Sequence, residues 1–280
     1  MFPDLGNAQD IEIALVWAPP AGIWARLGGL KLIVSLGMGV DHLFRHEQPP
    51  AQVPIVRIVD PQLMEQMVEY VLLNVLRIHR QDDDYASQQQ ARQWQKLPPV
   101  PARQRRIGIM GFGEIGRLVA ASLGRLGFSI AIWSRTAKSE AGYEGFAGAG
   151  QLAPFLARSD MLINVLALTE QTRGIVNART LALLPRGAHF INIARGGHVV
   201  DADLLAAIDS GQIASATLDV FNHEPLPADH AYWRHKRVRL TPHVAGPTFA
   251  ASSAPGVAEN IRRLRAGQPL SELIDRQRGY

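Results

Sequence analysis

The sequence predicts an α/β protein built from doubly wound parallel sheets, and three observations indicate this class. Short apolar segments typical of strands alternate with amphipathic segments typical of helices along most of the chain. A glycine-rich turn at 111–116 joins one of these strands to one of these helices. The 280 residues are 47% hydrophobic and can bury a substantial core, so the chain is expected to form two domains. Prolines at 98, 99 and 101 form a stiff connector before the glycine-rich turn.

The first domain is expected to be smaller and discontinuous, with residues 1–78 and 254–280 folding together. Its predicted elements are strands at 11–17, 31–36 and 54–59, and helices at 23–27, 63–80 and 255–265. The helix over 63–80 has a broad apolar stripe, which indicates that most of it is buried. The helix over 255–265 returns the chain to this domain, which makes the domain discontinuous.

A polar segment at 81–96 follows, rich in Gln, Asp and Arg, with an aromatic residue at Tyr85 and another at Trp94. The prolines after it stop any helix. This segment could extend across a second subunit, or it could form a helix at the surface of its own chain. The sequence leaves both interpretations open.

The second domain, 79–253, continues the alternation of strands and helices. Its predicted strands are 107–110, 128–133, 161–166, 189–194, 214–220 and 237–240. Helices are predicted behind the glycine-rich turn and at 152–157, 178–184 and 203–209. Strands separated by helices imply a parallel sheet with right-handed crossovers, and ligands of such sheets bind at the carboxyl ends of the strands.

The glycine-rich turn has the G-x-G-x-x-G spacing of a Rossmann-like dinucleotide-binding domain. Gly111 permits the sharp turn, Gly113 lets a pyrophosphate approach the backbone, and Gly116 lets the helix pack close to the strand. Glu114 and Ile115 lie between them, where the first N–H groups of the helix point toward the phosphates. Glycine clusters also form ordinary turns, so this motif alone is weak evidence for a dinucleotide site.

The end of the next strand indicates NADPH rather than NADH as the cofactor. A site for NADH usually has an acidic residue there to hold the ribose 2′-hydroxyl, whereas this chain has Ser134, Arg135, Thr136 and Lys138. Two cations and two hydroxyls suit a 2′-phosphate, and no carboxylate is present to repel it. For Lys138 alone, a solvated loop position is an equally good interpretation.

Composition excludes several other classes of function. The 280 residues are 47% hydrophobic and have a formal net charge of +4, without the dense basic and aromatic pattern of a nucleic-acid site. No cysteine is present, which excludes disulfides, thiolate nucleophiles and Cys-based metal sites. Neither a signal peptide nor a membrane-spanning segment is evident. We therefore expect a cytoplasmic protein with no metal ion, no nucleic-acid partner and no membrane partner.

Three strand ends of the second domain carry polar groups, in the motifs NIARGGHVVD, LDVFNHEPLP and TPHVAGPT. With these motifs, in this order and spacing, the chain resembles the D-isomer-specific 2-hydroxyacid dehydrogenases. It is most similar to the bacterial glyoxylate/hydroxypyruvate reductases of the A type. The resemblance extends over nearly the whole chain. It implies an NADPH-dependent reduction of small 2-oxo acids, glyoxylate and hydroxypyruvate first, by hydride transfer.

The resemblance assigns Arg195 to the substrate, Glu224 as the acid beside the histidine, and His243 as the proton donor. The chemistry explains each residue type. A guanidinium fork can hold the substrate carboxylate and polarise the neighbouring ketone. A protonated imidazole can supply the proton that the reduced oxygen needs, and a carboxylate beside it favours the charged imidazole. Each residue also has a structural interpretation, as a surface charge, a turn residue or an isolated histidine.

Further residues are implied by the same resemblance. Asp219 would accept a hydrogen bond from the nicotinamide carboxamide. The residues expected to line the cofactor are Leu166, Thr172, Ile193, Ala194 and Gly246. Met38 and Gly39 match the loop that binds the substrate carboxylate, although a plain strand-to-helix turn would also explain the glycines there. Relatives are dimers in which the segment around Trp94 reaches the second subunit, so a homodimer is expected.

Two departures from the family pattern accompany the resemblance. Relatives have about one further β-α unit before the segment corresponding to Phe2, so the first domain is expected to be N-terminally shortened, with an exposed sheet edge. The segment Ala228 to Trp233 reads ADHAYW, where relatives more often have a proline before the tryptophan.

Two alternative functions stay open: another D-2-hydroxyacid dehydrogenase activity, and a nucleotide-sensing interaction protein with the same fold.

Overall fold

The computed structural model describes residues 6–138 and 142–280, and the chain divides into two compact units. The first unit comprises Met1–Leu63, Ala167–Thr169 and Pro247–Tyr280, and the second comprises Met64–Leu166 and Glu170–Gly246. Each contains one parallel sheet, which confirms the predicted α/β class. The expected shortening at Phe2 lies outside the described residues. No helix in the described ranges is long and apolar enough to cross a membrane.

The first unit has a three-stranded parallel sheet. Its strands, in the spatial order β1-β2-β3, are Ile13–Val16, Leu32–Ser35 and Ile55–Arg57. All four residues of β2 are buried because this strand is central, with Ile33 facing one apolar cluster and Leu32 and Val34 facing another. Two helices belong to this unit, α1 at Ile23–Arg26 and α8 at Ala250–Arg265.

Helix α8 begins earlier than the sequence predicts. The prediction placed its start at the proline, yet Pro255 lies inside the helix. The start is fixed upstream because the buried carboxylate of Asp60 accepts hydrogen bonds from the Phe249 N–H and the Ser252 hydroxyl. The same carboxylate accepts the N–H of Leu63, in the first turn of the long helix that follows.

That long helix, α2, spans Pro61–His79 and passes from the first unit into the second. A short helix, α3 at Asp82–Gln90, comes after it and has no buried residue. Part of the polar segment, residues 82–90, is therefore an exposed helix in the single chain. Trp94, just beyond α3, is 96% exposed.

The second unit has a seven-stranded sheet in which every strand pair is parallel. Its strands are β4 Arg106–Met110, β5 Ser129–Ser134, β6 Glu144–Ala147, β7 Met161–Asn164, β8 Ala188–Asn192, β9 Ile213–Leu218 and β10 Val238–Leu240. The spatial order is β10-β9-β8-β7-β4-β5-β6, so the chain reverses its direction of travel across the sheet between β4 and β7. A crevice for a ligand is expected at the carboxyl ends of these two strands.

Strand β6 is the element that the sequence analysis missed. It reads EGFA and forms the edge of the sheet with none of its residues buried, so it lacks the apolar pattern of a strand. The helices of this unit, besides α2 and α3, are α4 Glu114–Arg125, α5 Leu152–Ala157, α6 Ala178–Leu181 and α7 Asp201–Asp209. They lie where the sequence predicts helices, with differences of a few residues at their ends.

Candidate active site

The turn between β4 and α4 has the geometry that its three glycines predict. Gly111 has a φ of +105°, and a Cβ atom there would lie 2.9 Å from the Val165 carbonyl oxygen, after β7. A Cβ on Gly116 would lie only 2.1 Å from the Gly111 carbonyl oxygen, whereas one on Gly113 would meet nothing within 4 Å. Two of the glycines therefore permit close packing of backbone, and the third faces open space.

The N-terminus of α4 fits a pyrophosphate group. Gly113 is the N-cap residue, and no side chain caps the helix. The first N–H groups of a helix need acceptors, and the positive end of the helix dipole favours an anion there. Glu114 is exposed and Ile115 is half-buried in this first turn. The open space at Gly113 lies at the same place, which supports binding of a dinucleotide at this turn.

At the end of β5, Arg135, Thr136 and Lys138 are exposed, as a site for a 2′-phosphate requires. Ser134 differs from them. It is buried, and its hydroxyl donates a hydrogen bond to the Thr136 carbonyl oxygen at 2.8 Å, so it shapes the turn.

Two buried asparagines organise the ends of β7 and β8, and the sequence analysis did not identify them. Asn164 and Asn192 face each other in register, and the Asn164 side-chain amide donates to the Asn192 Oδ1 at 3.0 Å. The Asn192 Oδ1 also accepts the Ala194 N–H, and its Nδ2 donates to the Arg195 carbonyl oxygen. A signal was available, because an asparagine ends both apolar strands.

The residues predicted to line the cofactor lie on the loops that these asparagines hold. Leu166 is half-buried, and its N–H donates to the Asn164 Oδ1 at 3.3 Å. Thr172 is half-buried further along the same connection. Ile193 and Ala194 are buried directly after β8. The fifth of these residues, Gly246, is half-buried at the end of the loop after β10.

His243 and Glu224 form a hydrogen-bonded pair. The Nδ1 of His243 lies 2.7 Å from the Oε2 of Glu224, and the Phe221 N–H donates to the other carboxylate oxygen at 2.9 Å. His243 has a φ of +54° and donates its own N–H to the Asp219 carbonyl oxygen, which fixes the turn. Because Nδ1 is bonded to the carboxylate, Nε2 is the ring nitrogen that can exchange a proton with a substrate.

The positive charge of Arg195 acts on the carboxyl group of Glu224. Burial by itself would raise the pKa of this carboxyl group, but the hydrogen bonds from His243 and Phe221 and the charges of His243 and Arg195 outweigh it, so the pKa is lowered. Arg195 is half-buried, and its Nη1 donates to the Ala194 carbonyl oxygen at 2.7 Å. The structure thus pairs a carboxylate with an imidazole, and a guanidinium on a third loop interacts electrostatically with that carboxylate.

Asp219 is held at the centre of the loops around His243. It accepts hydrogen bonds from the Thr241 hydroxyl at 2.6 Å and from the N–H groups of Val244 and Ala245 at 2.9 Å. Burial raises the pKa of Asp219, and these bonds offset only part of that effect. The carboxylate fixes the backbone that carries the imidazole.

The sequence analysis missed the support behind this carboxylate. The Tyr70 hydroxyl lies 2.6 Å from the Thr241 hydroxyl, and burial, with the nearby charge of Asp219, raises the pKa of Tyr70 to about 12. Since Thr241 donates to Asp219, Tyr70 must donate to Thr241. Tyr70 lies on α2, more than 140 residues before Asp219, so no local pattern could have connected them.

Met38 and Gly39 lie in the first unit, on the loop that follows β2. Both are half-buried. The loop is shaped by Ser35, whose hydroxyl accepts the Gly37 N–H and donates to the Gly37 carbonyl oxygen. A Cβ on Gly37 would lie 2.3 Å from the Trp17 ring, so only glycine fits beneath that tryptophan. The glycine at 37 therefore has a packing reason of its own.

Chemically, this arrangement is suited to reducing a carbonyl compound or to oxidising the corresponding alcohol. A parallel sheet with a dinucleotide-binding turn supports a hydride carrier, and an imidazole bonded to a carboxylate can deliver or accept the accompanying proton. A guanidinium in the same cluster can hold an anionic substrate. Together, the fold and the site define a nicotinamide-dependent dehydrogenase.

Comparison with known proteins identifies the family. The family model described as "D-isomer specific 2-hydroxyacid dehydrogenase, NAD binding domain" matches residues 72–245, which is more than half of the chain. The chain belongs to the D-isomer specific 2-hydroxyacid dehydrogenase family. The resemblance drawn from the three strand-end motifs is thereby confirmed.

Individual relatives match over almost the entire chain. Glyoxylate/hydroxypyruvate reductase A of Serratia proteamaculans is 43% identical, with 98% of this chain and 90% of that protein covered. A D-isomer specific 2-hydroxyacid dehydrogenase from Xanthobacter autotrophicus, solved with NADPH and MES, is 43% identical with a TM-score of 0.94, covering 98% of this chain and 87% of that one. An NADPH-dependent glyoxylate/hydroxypyruvate reductase from Sinorhizobium meliloti, solved with NADP and sulfate, is 37% identical with a TM-score of 0.92, covering 97% and 87%.

Proposed function

We propose that this protein reduces small 2-oxo acids to 2-hydroxy acids with NADPH, and that glyoxylate and hydroxypyruvate are its substrates. The observation that carries the proposal is the 2.7 Å bond between His243 and Glu224 in the same cluster as Arg195. The names of relatives at 43% identity support the choice of substrates.

His243 is the proposed proton donor. When NADPH is bound, it would supply a hydride for the carbonyl carbon, and the carbonyl oxygen would need one proton. Nε2 of the protonated His243 gives that proton, while Nδ1 stays bonded to Glu224. Glu224 remains ionised at neutral pH because its pKa is lowered, so its carboxylate can keep the bond to Nδ1 and hold the ring in place.

Arg195 is the proposed anchor of the substrate. Its guanidinium can bond the carboxylate and the carbonyl oxygen of a 2-oxo acid together, which aligns the ketone and withdraws electrons from it. We propose that the backbone of Met38 and Gly39 binds the same carboxylate, and that the first unit is accordingly the substrate domain. Asp219 is the proposed acceptor for the nicotinamide carboxamide, since its two oxygens have lone pairs beyond the three bonds that they accept.

The preference for NADPH over NADH is assigned to the end of β5. Arg135 and Lys138 are exposed there, and no carboxylate stands at 134–138 to repel a 2′-phosphate. The solved relatives with NADPH and NADP support this choice.

We also propose a homodimer, located in the cytoplasm. Three observations support the dimer: α3 has no buried residue, Trp94 is 96% exposed, and Leu73 on α2 is 64% exposed. A second copy of the chain would cover the exposed side chains of Trp94 and Leu73. Light scattering of the purified protein tests the dimer, and a monomer at micromolar concentration would contradict it.

A substrate panel tests the function. Purified protein is mixed with NADPH and each 2-oxo acid, and the absorbance of the reduced nicotinamide is followed. The His243→Ala variant should lose reduction while it still binds NADPH. His235→Ala is the matched control, since the His235 ring contacts the Asp209 carboxylate outside the site.

Two results would contradict the proposal. The first is a wild-type protein that reduces neither glyoxylate nor hydroxypyruvate. If that protein also self-associated only in the presence of NADPH, the result would favour a nucleotide-sensing function. The second is a His243→Ala variant with a near-normal kcat, which would assign proton donation to another residue.

A further inference from the structure

Asp201, the first residue of α7, makes hydrogen bonds that the proposed mechanism does not use. Its Oδ1 accepts the Tyr232 hydroxyl at 2.9 Å, and its Oδ2 accepts the Asn222 side-chain amide at 2.9 Å. An acidic residue in the first turn of a helix is usually explained by the helix dipole. Here, each oxygen of the carboxylate accepts a hydrogen bond from a residue outside α7.

The two partners of Asp201 lie on either side of the loop that carries Glu224. Asn222 is two residues before Glu224, where the loop leaves the sheet, and Tyr232 is eight residues after it, where the loop returns. The Asn222 amide also donates to the Val199 carbonyl oxygen at 3.1 Å, just before α7. One carboxylate therefore ties both ends of the loop to the start of one helix.

The Tyr232 anchor is fixed by its surroundings. Its side chain is 2% exposed, and the ring of His230 packs against it with 4.6 Å between the ring centroids. Burial and the neighbouring Asp201 raise the pKa of Tyr232, so its hydroxyl stays protonated and donates. His230 also brings its Nε2 to 3.8 Å from the Asp201 carboxylate. This anchor lies within the ADHAYW segment, where the sequence departs from its relatives.

Among the residues that the structure describes, two hydrogen bonds hold the Glu224 carboxylate. Its two oxygens bond the Phe221 N–H, at the beginning of the loop, and the His243 ring. The position of Phe221 in turn depends on the neighbouring Asn222. A shift of the loop would therefore separate the carboxylate from the imidazole.

We propose that Asp201 is a positioning residue for catalysis, which holds the 222–232 loop so that Glu224 remains bonded to His243. This inference rests on the proposed reductase function and deepens it. Asp201 acts through Glu224 and touches neither the substrate nor the cofactor. The inference rests on two hydrogen bonds, one from Tyr232 to the Oδ1 of Asp201 and one from Asn222 to its Oδ2.

The test uses Asp201→Asn and Tyr232→Phe in the full-length protein, with Asp209→Asn as the matched control. Asp209 lies on the same helix, and its carboxylate contacts the His235 ring at 3.1 Å, beyond the 222–232 loop. Both test variants should lower kcat about 10-fold, the usual effect of losing a hydrogen bond to a charged group. NADPH binding should stay unchanged, and the control should match the wild type.

A second measurement separates positioning from general stability. In a Glu224→Gln background, Asp201→Asn should produce no further loss of kcat, because its effect passes through the carboxylate that is already absent. Equal losses in both backgrounds would overturn the inference, and so would an unchanged kcat in the single variants.

Hydrogen exchange gives a readout that does not need activity. The Phe221 amide, which bonds Glu224, should exchange faster in Asp201→Asn and Tyr232→Phe than in Asp209→Asn. Unchanged protection there would refute the positioning role even if the wild type reduced no 2-oxo acid. A wild type without activity but with the expected exchange pattern would contradict only the proposed reaction.

Discussion

Substituting alanine for three glycines should separate cofactor binding from folding. Gly116→Ala adds a Cβ atom 2.1 Å from the Gly111 carbonyl oxygen, where real Cβ contacts are essentially never under 3.0 Å. The obstacle is backbone, which cannot rotate away as a side chain would. The N-terminus of α4 therefore has to move from β4 by about 1 Å, at a cost of about 1–3 kcal/mol in stability.

The displaced N–H groups should bind the pyrophosphate far more weakly. A misplacement of about 1 Å commonly costs about 100-fold in such sites, so the Kd for NADPH should rise by about two orders of magnitude. Gly113→Ala should also weaken binding, because its Cβ enters the open space proposed for the phosphates. Its effect on folding should be small, about 1 kcal/mol for alanine at an N-cap.

Gly124→Ala is the matched control on the same helix. Its Cβ would lie 3.6 Å from the Tyr143 ring, an ordinary contact, and alanine should stabilise the helix by about 0.5–1 kcal/mol. Titration with NADPH, followed by fluorescence, and thermal unfolding would measure both effects. The reasoning is refuted if Gly116→Ala binds NADPH as tightly as Gly124→Ala does.

Three further predictions concern charge. Glu224→Gln should lower kcat by about 10- to 100-fold without changing NADPH affinity, because the hydrogen bond to the imidazole loses its charge. Steady-state kinetics measures this effect, and an unchanged kcat would contradict a catalytic role for the Glu224–His243 pair. Arg135→Ala should narrow the preference for NADPH over NADH in the same assay, whereas equal losses with both cofactors would indicate a structural role. Burial and the charge of Arg105 lower the pKa of His189 to about 4, so the folded protein binds fewer protons there than the unfolded chain. The free energy of unfolding should therefore fall by about 3 kcal/mol as the pH drops from 6.5 to 4. Denaturant unfolding of His189→Asn should not show this fall, and a fall of equal size in the variant would assign it to another group.

Much of the fold was predictable because local patterns dictate it. The apolar runs before Gly111 and Asn164 are strands in the structure, and glycine spacing located the turn between β4 and α4. Strand β6 was missed because it lies at the sheet edge, where burial imposes no apolar pattern. The start of α8 differs from the prediction because Asp60, 189 residues before Phe249, holds it.

The sequence by itself determined the α/β class and the dinucleotide-binding turn, because both depend on residue type and short spacing. The roles of Arg195, Glu224 and His243 follow from the family resemblance and stay predictions. Only the tertiary structure decided which groups support them. Tyr70 behind Thr241, and Asp201 beneath the Glu224 loop, meet their partners across many residues of chain. Such contacts follow from the packing of parallel strands and their connections, which bring distant residues together at one edge of the sheet, and no local pattern records them.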